Sequence, residues 1–163
     1  MFSDLIIKFV KCSDGYTYGF GHLGKIYKRN STGYWVQVYD ARERITGAEE
    51  RPSSSGKTYL AWAGLTTLHI KEIPGLSNWN DVDTTLVGFP KTNLTSTTWH
   101  TMANVGGDLM IANYSYLAML AYDDSFTNEA LDLVPGNIAK TLIEREGNAI
   151  IGTYKAGDPD KGV

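Results

Sequence analysis

Short runs rich in Ile, Val, Leu, Tyr, Trp and Thr alternate along the chain with clusters of Gly, Ser, Asn, Asp and Pro. Runs of this length, closed off by turn formers, read as β-strands. The clearest is the stretch 105–123, two apolar runs joined by the polar turn Asn113-Tyr114-Ser115. Further strands are expected at 5–11, 16–21, 25–29, 34–39, 44–49, 58–63, 65–73, 97–102, 126–134 and 149–154. The segment 138–146 is ambiguous: Ile138, Leu142 and Ile143 stand at helical spacing, Asn137 suits an N-cap, and Gly147 suits a stop. It reads as a strand because its counterparts earlier in the chain do.

Those counterparts exist because the pattern repeats. A glycine precedes a strand at Gly15, Gly56, Gly107 and Gly147, at intervals of 41, 51 and 40 residues. An all-strand repeat of roughly 40 to 50 residues is the mark of propeller blades. The expected fold is therefore all-β, a propeller-like array of four-stranded antiparallel blades forming a single unit over residues 1–163. The strand count gives three nearly complete blades and a half, and closed propellers need about four to eight. Such a chain belongs to a longer polypeptide, assembles with further copies of itself, or pairs strands from its two termini. The second repeat is longer than the others by about ten residues, and the excess lies in the turn-rich stretches 74–83 and 90–94.

Composition adds limits. The chain has 163 residues, a net charge of −3 and ordinary proportions of hydrophobic (42%) and charged (20%) residues. No broad positive field is available for phosphates, so nucleic acid is not an expected partner. A single cysteine, Cys12, makes no intrachain disulfide and reads as a small core residue. No run approaches the ~20 apolar residues of a membrane span, and the start, with Lys8 interrupting its apolar stretch, is unlike a signal peptide. Synthesis in the cytoplasm is the expectation.

Candidate chemistry is thin. Gly19-Phe20-Gly21-His22-Leu23-Gly24 matches the GxGxxG dinucleotide pattern, but a strand-like run follows it where the mechanism needs a helix N-terminus. The pairs Asp81/Asp83, Asp123/Asp124 and Asp158/Asp160 sit in turn-like sequence, where Asp bonds its own backbone. The stretch 78–83 is an oxygen-rich cluster and 158–162 starts like a calcium loop, yet neither completes one. His22, His69 and His100 lack metal-ligand spacing. Arg42, Arg44 and Arg51 would not all share one strand face. No cofactor, metal or catalytic residue is assigned. The surplus is aromatic: Trp79, with Asn80 and Asp83 in the inserted loop, and Tyr114 and Tyr116 around the third hairpin turn are the candidate binding residues, since exposed rings stack on sugars or anchor protein contacts.

Several segments together resemble the repeats of β-propeller proteins of tailed-phage virions and related metagenomic sequences. They are Tyr59-Leu-Ala-Trp-Ala63 with Leu68-His-Ile-Lys71, Trp99-His-Thr-Met102 before Gly107-Asp-Leu-Met-Ile-Ala112, Ala130-Leu-Asp-Leu133, and Asn148-Ala-Ile-Ile-Gly-Thr153. The resemblance covers most of the chain and describes blades, not chemistry. It implies a non-enzymatic structural or adhesion module, tail- or fibre-associated, located on a virion or extracellular surface. Its partners would be other virion or surface proteins, with glycan as a second class, and further copies of the chain. The alternatives are a sialidase-like carbohydrate-active enzyme and a scaffold whose only role is self-association.

Overall fold

The computed structural model describes residues 3–75, 77–95 and 99–155. Among these residues there are thirteen strands and no helix. The first sheet is β1 (Ile6–Lys11), β2 (Thr17–Gly21), β3 (Lys25–Arg29) and β4 (Trp35–Asp40). The second is β5 (Gly47–Pro52), β6 (Thr58–Ala63) and β7 (Leu68–Ile73). The third is β8 (Met102–Val105), β9 (Asp108–Asn113), β10 (Tyr116–Leu120) and β11 (Phe126–Asp132), and the fourth is β12 (Asn137–Arg145) with β13 (Asn148–Lys155). Every pairing is antiparallel and between sequence neighbours.

The first strand of each sheet touches the first strand of the next, β1 to β5, β5 to β8 and β8 to β12. The sheets therefore radiate as blades from a shared axis, and the chain forms an arc of three and a half blades of a β-propeller. We call the end at which β1, β5, β8 and β12 begin the upper end. The hairpin turns 22–24, 64–67 and 114–115 return there, while the turns carrying the four repeat glycines lie at the lower end. Those glycines explain the repeat: Gly15, Gly56, Gly107 and Gly147 have φ of 85°, 80°, 103° and 78°. A tight connection from an inner strand to its neighbour needs this left-handed backbone, which costs glycine nothing.

Both faces of an internal blade are covered, and the sequence alternation serves both. In β6, Leu60 and Trp62 face the first blade while Tyr59, Ala61 and Ala63 face the third, so nearly the whole strand is buried. Three clusters result, one per blade junction. Val10, Tyr18, Phe20 and Ile26 pack on Ala48, Leu60 and Trp62. Tyr59, Leu68 and Ile70 pack on Met102, Leu109, Ile111 and Leu120. Ala103, Ala112 and Leu117 pack on Ala139, Leu142 and Ile151. Each large side chain so buried contributes about 1.5–3 kcal/mol. A buried ion pair joins the second junction: Arg51 Nη1 lies 2.6 Å from Asp124 Oδ1, Arg51 Nη2 donates to the Ala121 carbonyl, and Ser53 Oγ donates to Asp124 Oδ2 at 2.8 Å. The outward face of the first blade carries Phe9 against Trp35, 5.3 Å between ring centroids, and that of the fourth carries the cross-strand pair Ile143 and Ile150.

Four expectations change. The second blade has three strands rather than four, because the inserted loop takes the outer position, touching the sheet through the bridge of Leu68 to Lys91 and through Asp83, whose amide donates to Ile70 O at 2.9 Å. The strand expected over 44–49 begins at Gly47; Thr46 before it donates its amide to Ala63 O at 2.9 Å and its hydroxyl to Gly64 O at 2.8 Å. The strand expected over 65–73 begins at Leu68, with 64–67 closed as a turn by Gly64 N donating to Thr67 O. The strand expected over 97–102 begins at Met102, and residues 97 and 98 lie outside the described residues. The ambiguous segment 138–146 is strand as far as Arg145, with Glu146 in the turn that follows.

Asp124→Ala leaves the Arg51 guanidinium buried without its counter-charge, so it is expected to destabilise the chain by about 3–5 kcal/mol. Urea unfolding followed by tryptophan fluorescence checks this.

Candidate functional site

The loops at the upper end bring three groups together from distant parts of the sequence. The turn bearing His22 is set by Asp4, whose carboxylate accepts from the Leu23 amide at 3.0 and 2.8 Å and from the Lys25 amide at 3.3 Å. The His22 ring then lies 5.5 Å from the ring of Trp99, which precedes β8. The Arg44 guanidinium, from the loop before β5, sits 4.6 Å over the same indole. Beside them the inner strands enclose a groove of about 290 Å³, with Ile7, Ala48, Met102 and Leu142 as its apolar wall and Lys8 and Lys140 as its cations. Lys8 is paired with Glu49 at 3.1 Å.

The other two histidines are committed to structure. His69 Nδ1 is 2.6 Å from Asp83 Oδ2 and its Nε2 is 2.7 Å from Glu43 Oε1, while its ring stacks on Trp62 at 5.5 Å. Burial opposes its charging, but the hydrogen bonds to Asp83 and Glu43 and their charges outweigh that, so its pKa is raised. With both ring nitrogens engaged, it has no lone pair to offer a substrate. His100 is fully buried, its Nδ1 2.7 Å from Thr46 Oγ1, and burial pushes its pKa down to about 4. Among the described residues no group of three or more His, Cys, Asp or Glu side chains is arranged to hold a metal ion.

The candidate binding residues do not converge. Trp79 is 6% exposed and packs with Tyr18, Tyr39 and Trp62 in the first blade junction, so its ring is a core ring and not a free stacking platform. Its flat apolar surface fills the gap that a missing fourth strand leaves. Asn80 is exposed on the loop. Asp83 caps the edge of β7, its Oδ1 accepting from the Ile70 amide at 2.9 Å. Tyr114 is exposed at the upper end with φ of 61°. Tyr116 is half-buried, its hydroxyl 3.3 Å from Thr95 Oγ1 and 3.4 Å from Asn128 Nδ2. Sequence reasoning missed Arg44 and Trp99 as a pair, and nothing in their spacing signals it. At the lower end, Trp79 does border a second cleft, with Asp14, Tyr16, Tyr18, Lys28 and Lys71.

No family model and no curated protein matches the sequence. Among solved structures, the chain is similar to a streptogramin B lyase, with a TM-score of 0.63 and 12% identity over 95% of this chain and 53% of that one. It is similar to a catalytically inactive histidine-to-alanine variant of virginiamycin B lyase from Staphylococcus aureus, solved with quinupristin (TM-score 0.60, 10% identity, 90% and 47%). A gluconolactonase-like structure follows with a TM-score of 0.54 and 12% identity over 91% and 54%. The chain spans about half the length of these structures. At such identities the likeness is one of fold, the β-propeller. Because the neighbours are enzymes, they lend no weight to the expectation of a non-catalytic module.

His100 generates a pH prediction. Its folded pKa of about 4 lies below the ordinary 6.5, so on acidification the unfolded chain takes up the proton first. The stabilisation is complete above about pH 6.5 and is lost as the pH falls toward 4, to a total of about 3 kcal/mol. His69 works in the opposite sense, its contribution fading as the pH rises through its raised pKa. Urea midpoints of the wild type and His100→Gln, compared between pH 7 and 4.5, are expected to converge at the acid end.

Proposed function

We propose that the chain is a non-catalytic structural and adhesion module of a virion or another surface assembly, and that its upper end is the face that docks on neighbouring protein. What supports this reading is one feature of the exposed surface. Almost every loop at that end puts an apolar or aromatic side chain into water: Leu5, Leu23, Leu65, Trp99, Tyr114 and Val134. Leu23 is 66% exposed and Val134 is 71% exposed. The lower-end turns expose Tyr16, Tyr34 and Tyr122, so what marks the upper end is its aliphatic tips, and a set of aliphatic residues held in water at one end of a molecule is the composition of a protein contact. Arg44 over Trp99 adds the pairing of arginine and tryptophan that contact hot spots favour. The ligand-side partner would be another protein of the same assembly.

A second reading is an enzyme that works in the axial groove. It is favoured by the placement of His22 beside that groove and by the lyases among the solved structures of similar fold. In it His22 would move the proton and Arg44 would steady a developing negative charge.

Photo-crosslinking amino acids placed at Leu23 and Val134, against one at Tyr34 on the lower end, separate the two. With assembled particles, crosslinks to particle proteins are expected from the upper positions alone, and Leu23→Glu with Val134→Glu should weaken co-sedimentation at least tenfold. Turnover of a glycoside or of a streptogramin-type substrate that disappears in folded His22→Ala would overturn the module reading in favour of the enzyme.

A further inference from the structure

We propose that the cleft at the lower end of the first blade junction binds an acidic sugar residue through its carboxylate. The site lies at the end of the arc away from the docking face and stands or falls independently of it.

The strand register builds it. Tyr18, Lys28 and Val36 are cross-strand partners on β2, β3 and β4, so Lys28 is carried on the face turned toward the second blade. Its Nζ lies 3.5 Å from the centre of the Tyr16 ring and 5.6 Å from that of Tyr18. No described carboxylate forms an ion pair with it. Across the cleft stands Lys71, 2% exposed, donating to Asp81 Oδ2 at 2.8 Å and to Glu72 O at 2.8 Å. An ammonium group has three hydrogens, so these bonds leave one to donate. The Gly75 backbone lies against that group, where a β-carbon would come within 2.2 Å of Lys71 Nζ and push the strand end away from it. The chain thus holds a buried cation behind a bare stretch of backbone, opposite a half-exposed cation held on a tyrosine face.

The rest of the lining selects among anions. Val38 and Pro74, backed by the buried side chains of Ile73, Tyr18 and Trp79, give the cleft an apolar wall against which a sugar residue can lie. Asp14 accepts from Tyr18 Oη at 2.7 Å and from the Tyr16 amide at 3.0 Å, which orients Tyr18 and leaves lone pairs for ligand hydroxyls. Asp81 already pairs with Lys71, and Asp14 is held by Tyr18 and the Tyr16 amide, so Lys28 is the cation of the described lining without an ion-pair partner, and a monoanion matches this cleft better than a phosphate dianion. The volume, about 300 Å³, is at the small end for ligand pockets and suits one sugar residue.

Titration calorimetry and amide shifts with four probes test this: 3′-sialyllactose and glucuronic acid as two acidic sources, lactose as the neutral sugar, and acetate as the bare carboxylate. At least one acidic sugar is expected to bind and to shift Tyr16, Tyr18 and Lys28, with lactose and acetate at least tenfold weaker. Lys28→Met, which keeps the aliphatic stem over Tyr16, should lose that binding at least tenfold, Lys28→Arg should retain it within threefold, and Lys140→Gln should leave it unchanged. Thermal melts establish that each variant is folded. Equal binding of lactose or of acetate, binding that survives Lys28→Met, or absence of saturation by both acidic sugars would each overturn the proposal.

Discussion

The structure depends on the burial of one blade's apolar face against the next. A sheet whose strands alternate large residues to both sides cannot leave either face in water, and stacking about an axis satisfies every internal blade at once. The second blade states the constraint most fully, with Leu60 and Trp62 sealed on one side and Tyr59, Ala61 and Ala63 on the other. Trp62 sits at the middle of the first junction, touching Phe20, Tyr39, His69 and Trp79. Phe9, packed on Trp35 at one end of the arc, and Ile143 and Ile150 at the other are partly exposed surface of the same apolar kind.

Polar groups are placed where this packing thins. Toward the outer edge of the first junction, where the second blade has no fourth strand, the inserted loop supplies Asp81 to Lys71 and Asp83 to His69. At the second junction Arg51 is closed off by Asp124 and the Ala121 carbonyl. Each charge enters the interior with a partner, which is what makes it tolerable there. The ends of the arc carry different surfaces as a result. Turns at the upper end are short and apolar at their tips, whereas the lower end of the first junction keeps an open cleft with a cation, Lys28, that forms no ion pair among the described residues.

Much of the fold was legible. The four repeat glycines mark a backbone requirement, and the strand runs between them were placed to within a few residues wherever turn formers bounded them. The errors fall at strand ends, as at Gly47 and Leu68, or where a loop substitutes for a strand, as at 83–91. Trp79 shows the limit for the candidate site. In sequence it is an aromatic residue in a polar loop, which is how a recognition residue looks. In space the loop folds back, and the ring fills a hole that is visible only once both blades are assembled.

The sequence by itself determined the blade, because alternation, turn chemistry and the glycine spacing are local or periodic properties of the chain. It also determined the net charge of −3, because charge is additive. Only the tertiary structure decided which side chains meet. His22, Arg44 and Trp99 are brought together by loops from three blades, and Lys28 faces Lys71 across a junction between strands far apart in sequence. Such meetings follow from how whole sheets stack, and no spacing along the chain encodes them.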